Sequence, residues 1–539
     1  MSTAHELARE TARRRTFAIV SHPDAGKTTL TEKLLLYGGA LHLAGSVTAR
    51  KNQRATTSDW MELERKRGIS ISSTVLNFEY QGHRINLLDT PGHKDFSEDT
   101  YRVLTAVDSV VMVIDAAKGV ESQTRKLFEV CRLRGIPIFT FINKMDRPGR
   151  EPLELLDDLE SVLGISACPM NWPLGTGFEF KGVWDRQVRA AWFFERTPSG
   201  MFRAPVQTGG WDDPEIRARL DEEAWRKVKE EMEILEGAGA AFDHARVLAG
   251  ELTPVYFGSA LNSFGVQNLL DSFVALSTGP TARISHGSAI APTAEPFSAF
   301  VFKIQANMDP NHRDRVAFIR VVSGKFERDM TARHVQSGKT VRLSNSSKLF
   351  GRERETVDVA YGGDIVGIVG ANYLAIGDTL GSRPDIVYDE IPHFPAECFA
   401  FLHNPSPSNF KRFRTGLAQL LQEGVVHSFE LEHGPRNAPL LAAVGPLQFD
   451  IVRYRLETEY GAASRLESAP WERARWARFD AVDRDRIKTA AGVAWARDAE
   501  GRPVLLFPNE WHIDYFARTN DFVSLSEYPI DPVEEAISA

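Results

Sequence analysis

The fold is decided by one stretch of the sequence, Ser21-His22-Pro23-Asp24-Ala25-Gly26-Lys27-Thr28. A short β-prone run at 16–20 precedes it, and a helical pattern continues from it over 27–37. This strand–loop–helix context is typical of a phosphate-binding loop, in which backbone N–H groups cradle phosphate oxygens. Lys27 would reach the β- and γ-phosphates, and the Thr28 hydroxyl would bind Mg²⁺. Ser21 stands where the motif usually has a glycine, and its small side chain is compatible with the turn.

A second motif, Asp89-Thr90-Pro91-Gly92-His93, follows the apolar run 85–88. A carboxylate at this strand end can hold Mg²⁺ through water, and the Gly92 N–H can sense a γ-phosphate. His93 is the candidate for positioning the attacking water, because phosphoryl transfer depends mainly on positioning and charge stabilisation. An ordinary surface or packing histidine is the alternative. No arginine finger is identifiable in the sequence, so slow intrinsic hydrolysis is expected until a partner orders the site.

Two further motifs predict that the base is guanine. Asn143-Lys144-Met145-Asp146 follows the apolar run 137–142, and Ser259-Ala260-Leu261 follows the run 254–257. Asp146 can accept hydrogen bonds from guanine N1–H and the 2-amino group, which adenine lacks, and such sites discriminate by about 10⁴–10⁵. Asn143 would contact the other polar edge of the purine and tie loops together. The stem of Lys144 would cover the base, and a backbone N–H of 259–261 would donate to O6.

A short motif before the run 75–80, Arg67-Gly68-Ile69-Ser70, predicts a first switch segment, although a solvent-exposed loop is the alternative. The Ser70 hydroxyl could complete the shell of a magnesium ion. The predicted metal ligands are therefore Thr28, Ser70 and, through water, Asp89. Because the phosphate loop, DTPGH and NKMD occur in order, each at a strand end, the sequence predicts a guanine nucleotide site.

Composition excludes several classes of protein. The 539 residues carry a net charge of −8, with 43% hydrophobic and 25% charged residues, as in ordinary globular proteins. No apolar run approaches the roughly 20 residues of a membrane helix, and residues 1–15 lack the apolar segment of a secretory signal. The three cysteines are far apart, which favours free thiols in a reducing cytoplasm. The mild acidity argues against coating nucleic acid through overall charge.

The chain is long enough for about three or four domains. Strands and helices alternate early, which predicts a parallel α/β sheet, interrupted by a charge-rich helix at 215–236. A Pro/Gly/Ser-rich linker is expected at 278–296, and short strand-like runs follow it. The fold class is therefore a multi-domain α/β protein. The predicted domains are a P-loop GTPase domain at 1–280 with an inserted subdomain at about 165–250, a β-barrel domain at 281–390, and an α+β domain at 391–539.

The motifs resemble those of the translational GTPases of the elongation factor G-like family. The resemblance rests on DTPGH with its terminal histidine, on NKMD, on RGIS in place of the usual RGIT, and on FIRVVSG at 318–324. SHPDAGKTT, DTPGHKDFSEDTYR and HRDRVAF look like those of the termination branch of this family. Translocases carry two further domains after the third, and about 150 residues follow position 390 here, which also favours that branch.

The resemblance implies a GTPase that acts on the ribosome and promotes departure of class I peptide chain release factors. It implies hydrolysis stimulated by the ribosome, with large-subunit rRNA placing His93 and stalk proteins meeting the inserted subdomain. It also implies a cytoplasmic protein without DNA or membrane partners. Two segments, 410–414 and 471–478, interleave aromatic and arginine residues, so they are either RNA contacts or solvated faces. Translocation, ribosome protection, and a nucleotide-gated switch without hydrolysis are the alternatives.

Overall fold

The computed structural model describes residues 3–40, 64, 70–197, 202–239, 241–306, 315–344, 346–350, 353–389, 391, 394–435, 438–479 and 481–530. Residues 67–69 of the predicted first switch segment lie outside the described residues, as do 312–314 of the HRDRVAF segment. Ser70 is described.

Twelve helices are named from the described residues, in chain order. They are α1 Thr3–Ala12, α2 Lys27–Tyr37, α3 Ser97–Thr105, α4 Ser122–Leu133, α5 Pro152–Leu163, α6 Pro214–Arg217, α7 Glu222–Ala238, α8 His244–Leu248, α9 Val266–Leu276, α10 Phe410–Gln422, α11 Pro446–Tyr460 and α12 Glu510–Thr519.

The strands fall into three consecutive groups. The first group is β1 Arg14–Ser21, β2 Thr74–Tyr80, β3 His83–Asp89, β4 Ser109–Asp115, β5 Ile138–Asn143, β6 Ser166–Pro169, β7 Asn171–Leu174, β8 Gly182–Asp185, β9 Ala190–Phe194, β10 Val206–Gly209 and β11 Leu252–Phe257. The second group is β12 Arg283–Ser285, β13 Ser288–Ile290, β14 Ser298–Ala306, β15 Arg315–Ser323, β16 Lys325–Glu327, β17 Thr331–His334, β18 Lys339–Arg342, β19 Ser346–Phe350, β20 Glu353–Thr356, β21 Val359–Tyr361, β22 Ile365–Val369 and β23 Thr379–Gly381. The third group is β24 Cys398–His403, β25 His427–Leu431, β26 Leu440–Ala443, β27 Arg465–Ser468, β28 Arg473–Arg478, β29 Ala494–Arg497, β30 Pro503–Phe507 and β31 Ser524–Ser526.

The first unit is built on a seven-stranded sheet in the order β2-β3-β1-β4-β5-β11-β6. All neighbours are parallel except β2 and β3. Side chains alternate between two cores, since Ala18 and Val20 face one while Phe17 and Ile19 face the other. The predicted parallel α/β sheet is confirmed. It brings the ends of β1, β3, β5 and β11, and with them the four nucleotide motifs, to one edge.

A second layer, the antiparallel sheet β10-β9-β8-β7, interrupts the α/β order between β6 and β11. The single helix predicted over 215–236 is wrong, because the chain forms α6 and then α7. Asp213 caps the first helix by accepting from the Glu215 N–H, and Asp221 caps the second by accepting from the Ala224 N–H at 2.8 Å. Two separate caps therefore divide one charged stretch.

The second unit is an antiparallel eight-stranded sheet in the order β18-β17-β23-β14-β15-β22-β19-β20, with the ribbon β16–β21 beside it. The stretch expected to be an irregular linker contains the hairpin β12–β13 instead. Its turn is His286-Gly287, with φ of 45° and 78°, the left-handed pair that a tight hairpin needs. The Ser285 hydroxyl also accepts from the Val387 N–H at 2.9 Å, so the hairpin is tied to the second unit.

The third unit is an eight-stranded sheet in the order β27-β24-β26-β25-β29-β30-β28-β31. Helices α10 and α11 share one apolar cluster with it, and α12 packs through Ile513 and Phe516 in another. The predicted mixed α+β pattern is confirmed, with α12 as the last of the described helices. Asn509 caps that helix by accepting from the His512 N–H.

Buried charges join the first two units. Arg320 lies 2.6 Å from Asp108, and Arg14 lies 3.1 Å from Asp364, with all four side chains at most 1% exposed. The Thr16 hydroxyl also donates to the Gly363 carbonyl at 2.6 Å. The amino-terminal ends of β1 and β4, opposite the nucleotide motifs, are thus fixed on the second unit by paired, hydrogen-bonded charges.

Candidate guanine nucleotide site

The loop between β1 and α2 has the geometry of a phosphate cradle. Gly26 has φ of 99° and is the N-cap of α2, and Asp24 has φ of 66°. The Ser21 hydroxyl donates to the His22 carbonyl at 2.8 Å, so the serine in the usual glycine position is accommodated inside the turn. A Cβ on Gly26 would lie 2.2 Å from the Asn143 amide nitrogen, which explains why glycine is needed there.

The second motif closes on this loop from β3. Lys27 Nζ lies 2.7 Å from Asp89 Oδ1, and both side chains are at most 6% exposed. A Cβ on Gly92 would lie 3.3 Å from the Pro23 backbone nitrogen, so the two loops touch. The lysine of the phosphate loop and the carboxylate at the end of β3 are therefore held together as a buried ion pair.

Asn143 connects three loops through its buried amide. Its Nδ2 donates to the Ala25 carbonyl at 2.8 Å, and its Oδ1 accepts from the Lys144 and Ala260 N–H groups, each at 2.8 Å. The phosphate loop, the loop after β5 and the loop after β11 are thus held by one side chain. With these polar contacts made to backbone, Asn143 acts here as a tie between loops.

Sequence reasoning missed Asp115, the last residue of β4. Its Oδ2 lies 2.7 Å from Lys144 Nζ, which also donates to the Asp24 carbonyl. The contact holds the lysine stem across the mouth of the phosphate loop, where it could cover a base. The available signal was positional, because β4 lies between two strands that each end in a nucleotide motif.

His93 follows Gly92 and faces the same cavity. The ring is 30% exposed, and its Nδ1 lies 3.2 Å from the Asp95 N–H. Acceptance of this hydrogen bond by a neutral ring places the proton on Nε2. Ser70, from the predicted first switch segment, lines the cavity as well.

The cavity measures about 340 Å³. Fifteen predicted residues line it: Ser21, His22, Pro23, Asp24, Gly26, Lys27, Thr28, Ser70, Gly92, His93, Asn143, Lys144, Asp146, Ser259 and Leu261. Five others are not among the lining residues: Ala25, Asp89, Thr90, Pro91 and Ala260. Thr90 donates to the Ile19 carbonyl at 2.7 Å and Pro91 accepts from the Thr100 hydroxyl, so these two brace the loop. Thr29 and Arg147 also line the cavity and were not predicted.

Three family descriptions match consecutive parts of the chain. The elongation factor Tu GTP binding domain matches residues 12–278, elongation factor G domain 2 matches 296–383, and the C-terminal domain of class II release factor RF3 matches 388–517. A crystal structure from Thermus thermophilus is similar with a TM-score of 0.70 and 25% sequence identity, covering 90% of this chain and 72% of that chain. The predicted fold class is confirmed by these matches. Among the described residues, no helix is both long and apolar enough to cross a membrane.

Proteins named peptide chain release factor 3 are similar over nearly the whole length. The one from Gloeobacter violaceus is 56% identical over 527 residues, covering 97% of this chain and 98% of that protein. The relative from Cyanothece sp. is 54% identical over 94% of each chain, and that from Synechocystis sp. is 52% identical over 98% of this chain and 96% of its own. The resemblance drawn from the motifs is confirmed: the chain belongs to the peptide chain release factor 3 family and is a GTPase of translation termination.

Proposed function

We propose that this protein binds GTP with Mg²⁺ at the described cavity and, on the ribosome, promotes dissociation of class I peptide chain release factors after peptide release. One observation carries the proposal. The unit that matches the release factor C-terminal domain contacts the segment that follows the γ-phosphate-sensing loop: the Arg102 guanidinium of α3 donates to the Gly424 carbonyl, and Glu98 lies 2.9 Å from His427. A change at the phosphate therefore has a direct route to the third unit.

The cavity divides the nucleotide between two ends. At one end the backbone of 21–28 and Lys27 hold the phosphates, with Gly92 near the γ-phosphate. At the other end Asp146 accepts from guanine N1–H and the 2-amino group, and Leu261 lies in the loop that donates to O6. Asp146 lines the cavity, and adenine would leave its carboxylate without these donors.

The oxygen donors near the phosphate end fit Mg²⁺. Thr28 and Ser70 contribute hydroxyls to one cavity, and the Asp89 carboxylate lies beside Lys27. Hard oxygen ligands completed by phosphate oxygens and water are what this ion prefers. When bound, the ion would neutralise charge on the β- and γ-phosphates.

His93 acts in hydrolysis. A water molecule attacks the γ-phosphorus, the bond to the β–γ bridging oxygen breaks, and GDP leaves with release of phosphate. The Nε2–H of His93 would donate to the water oxygen and hold it in line. We expect His93→Ala to bind GTP normally and to lose ribosome-stimulated turnover. Intact stimulated turnover would contradict this role.

The same proposal covers the ribosomal partners. Large-subunit rRNA would fix His93, stalk proteins would meet the inserted subdomain, and the protein would work in the cytoplasm. The domain boundaries 1–280 (inserted subdomain about 165–250), 281–390 and 391–539 belong to the proposal too.

Of the two RNA-contact segments, 410–414 is favoured because Phe410 is 61% exposed. In 471–478, Arg475 and Trp476 are buried, with Arg475 pairing with Glu527.

The test is the dissociation rate of a labelled class I release factor from post-termination ribosomes. GTP with this protein should accelerate dissociation strongly, while GDP or omission of the protein should not. His93→Ala with GTP separates the steps, since it should still release the factor but should itself remain on the ribosome. Ribosome-stimulated GTP hydrolysis without faster dissociation would overturn the release role and favour translocation or ribosome protection.

A further inference from the structure

The N-terminus of α11, in the third unit, is seated on the loop that follows His93. The Leu447 N–H donates to Asp95 Oδ2 at 2.9 Å. Asp95 is only 2% exposed, and its charge lies against the positive end of a fifteen-residue helix. A Cβ on Gly445 would lie 2.2 Å from Asp95 Cγ, so the helix approaches the carboxylate as closely as a glycine backbone allows.

The backbone of the same residue reaches the candidate catalytic histidine. The Asp95 N–H donates to His93 Nδ1 at 3.2 Å. One buried residue thus connects a ring that faces the nucleotide cavity to a helix more than 350 residues further along the chain.

An apolar cluster supports this contact from the first switch segment. Ile71 and Phe96 pack with Ile451 of α11, and all three are at most 6% exposed. Ile71 directly follows Ser70, and Phe96 directly follows Asp95. The helix therefore touches both segments that border the γ-phosphate end of the cavity.

We propose that Asp95 is a positioning residue, which makes the orientation of His93 depend on the seating of the α11 N-terminus. The inference rests on the proposed role of His93 in hydrolysis. When the helix is seated, the Leu447 N–H fixes the Asp95 carboxylate, and this holds Asp95 so that its backbone N–H donates to His93 Nδ1. Nε2 is then directed toward the cavity. Displacement of the third unit removes this support, so hydrolysis responds to the position of the release-factor-specific unit.

Gly445→Ala tests this from outside the GTPase unit. Gly445 has φ of −149° and ψ of 157°, which alanine adopts without strain, so the substitution acts only through its contact with Asp95. We expect ribosome-stimulated kcat to fall at least about tenfold, as small misplacements of catalytic groups do. The KM for GTP and the affinity for GDP should stay unchanged, because the phosphate and guanine loops are untouched.

Gly461→Ala is the matched control at the opposite end of α11. Gly461 has φ of 62°, so alanine there strains the same helix, but the added Cβ meets only Arg412 at 3.5 Å. This variant should keep the wild-type kcat. Asp95→Asn is the second test, since it keeps an acceptor for Leu447 but loses the charge, and it should also lower kcat without changing KM.

The outcomes separate the two proposals. If His93→Ala retains stimulated hydrolysis, the proposed role of His93 fails and the inference fails with it. If His93→Ala abolishes hydrolysis while both Gly445→Ala and Asp95→Asn retain the wild-type kcat, the inference is overturned and the proposed function stands. If Gly445→Ala and Gly461→Ala lower kcat equally, the loss is explained by the stability of α11, and the inference is overturned as well. The inference is supported if Gly445→Ala lowers kcat while Gly461→Ala does not, and if Gly445→Ala causes no further loss of kcat in the His93→Ala background.

Discussion

Replacement of Asn143 by alanine should uncouple the three loops that surround the nucleotide. The side chain is 2% exposed and makes three hydrogen bonds, to the Ala25 carbonyl and to the Lys144 and Ala260 N–H groups. Each net bond is worth about 1 kcal/mol, so the loss is about 3 kcal/mol. Because the nucleotide must then order the loops itself, we expect the lost free energy to appear as weaker binding of the nucleotide. At 1.4 kcal/mol for each tenfold change, GDP affinity should fall about a hundredfold.

The chain offers a matched control for Asn143→Ala. Asn520, in the third unit, is fully buried and also makes three backbone hydrogen bonds, to the Lys488 and Phe516 carbonyls and from the Lys488 N–H. Asn520→Ala should therefore lower the thermal stability about as much as Asn143→Ala does, but it should leave GDP binding unchanged. Equilibrium titration with a fluorescent GDP analogue measures the affinities. A folded Asn143→Ala protein that binds GDP as tightly as Asn520→Ala would refute the reasoning.

Other expectations concern one phosphate contact and two contacts between units. Lys27→Met should weaken GTP binding roughly tenfold to hundredfold, measured by titration with a fluorescent GTP analogue, because a charge-assisted bond is lost. An unchanged Kd would place the phosphates elsewhere. Arg320→Met should lower the free energy of unfolding in urea by about 3–5 kcal/mol, since Asp108 stays buried without its closest cation at 2.6 Å; a loss below about 1 kcal/mol would contradict this. The charge of Glu98 raises the pKa of His427, although desolvation opposes this. Burial alone would raise the pKa of Glu98, but the neighbouring cations Arg102 and His427 lower that pKa to about 2. The stabilisation from the His427–Glu98 ion pair is fully present between pH 4.5 and 6.5. It is lost as the pH rises through the raised pKa of His427, and it is also lost as the pH falls toward 2, where Glu98 is protonated. Hydrogen exchange in α3, corrected for intrinsic rates, should therefore be faster at about pH 9 than at about pH 6, and an equal difference in His427→Gln would argue against the pair.

The nucleotide site was largely predictable because its motifs are local. A phosphate loop needs a strand, a tight turn with Gly26 and a helix start, and all three lie within 14–37. Parallel strands then bring the remaining loops to the same edge whatever the distance along the chain. The role of Asn143 in tying loops together followed from the same logic.

Features that depend on long-range contacts were not predictable. Asp115 ends a strand like many acidic residues, and only the fold shows that Lys144 reaches it. Helix α12 is short and rich in aromatic residues, which also favour strands, so its helical state depends on the Asn509 cap and on packing. The contact between Leu447 and Asp95 has no signal in either segment, because a glycine–proline helix start occurs for many reasons.

The two interfaces of the first unit differ in the cost of opening them. Arg320 and Asp108 are at most 1% exposed, and breaking such a pair leaves an unpaired charge in the interior, at about 3–5 kcal/mol. His427 of the third unit, which pairs with Glu98 of the first unit, is 43% exposed, and ion pairs that water can reach contribute about 0–1 kcal/mol. Breaking the buried ion pair to the second unit is therefore more costly than breaking the His427–Glu98 pair to the third. Since the third unit also touches both segments beside the γ-phosphate end, we expect loss of that phosphate to shift the third unit while the first two move together. Distances between labels on the three units, measured first with GTP and then with GDP, test this expectation. Separation of the first two units would contradict it.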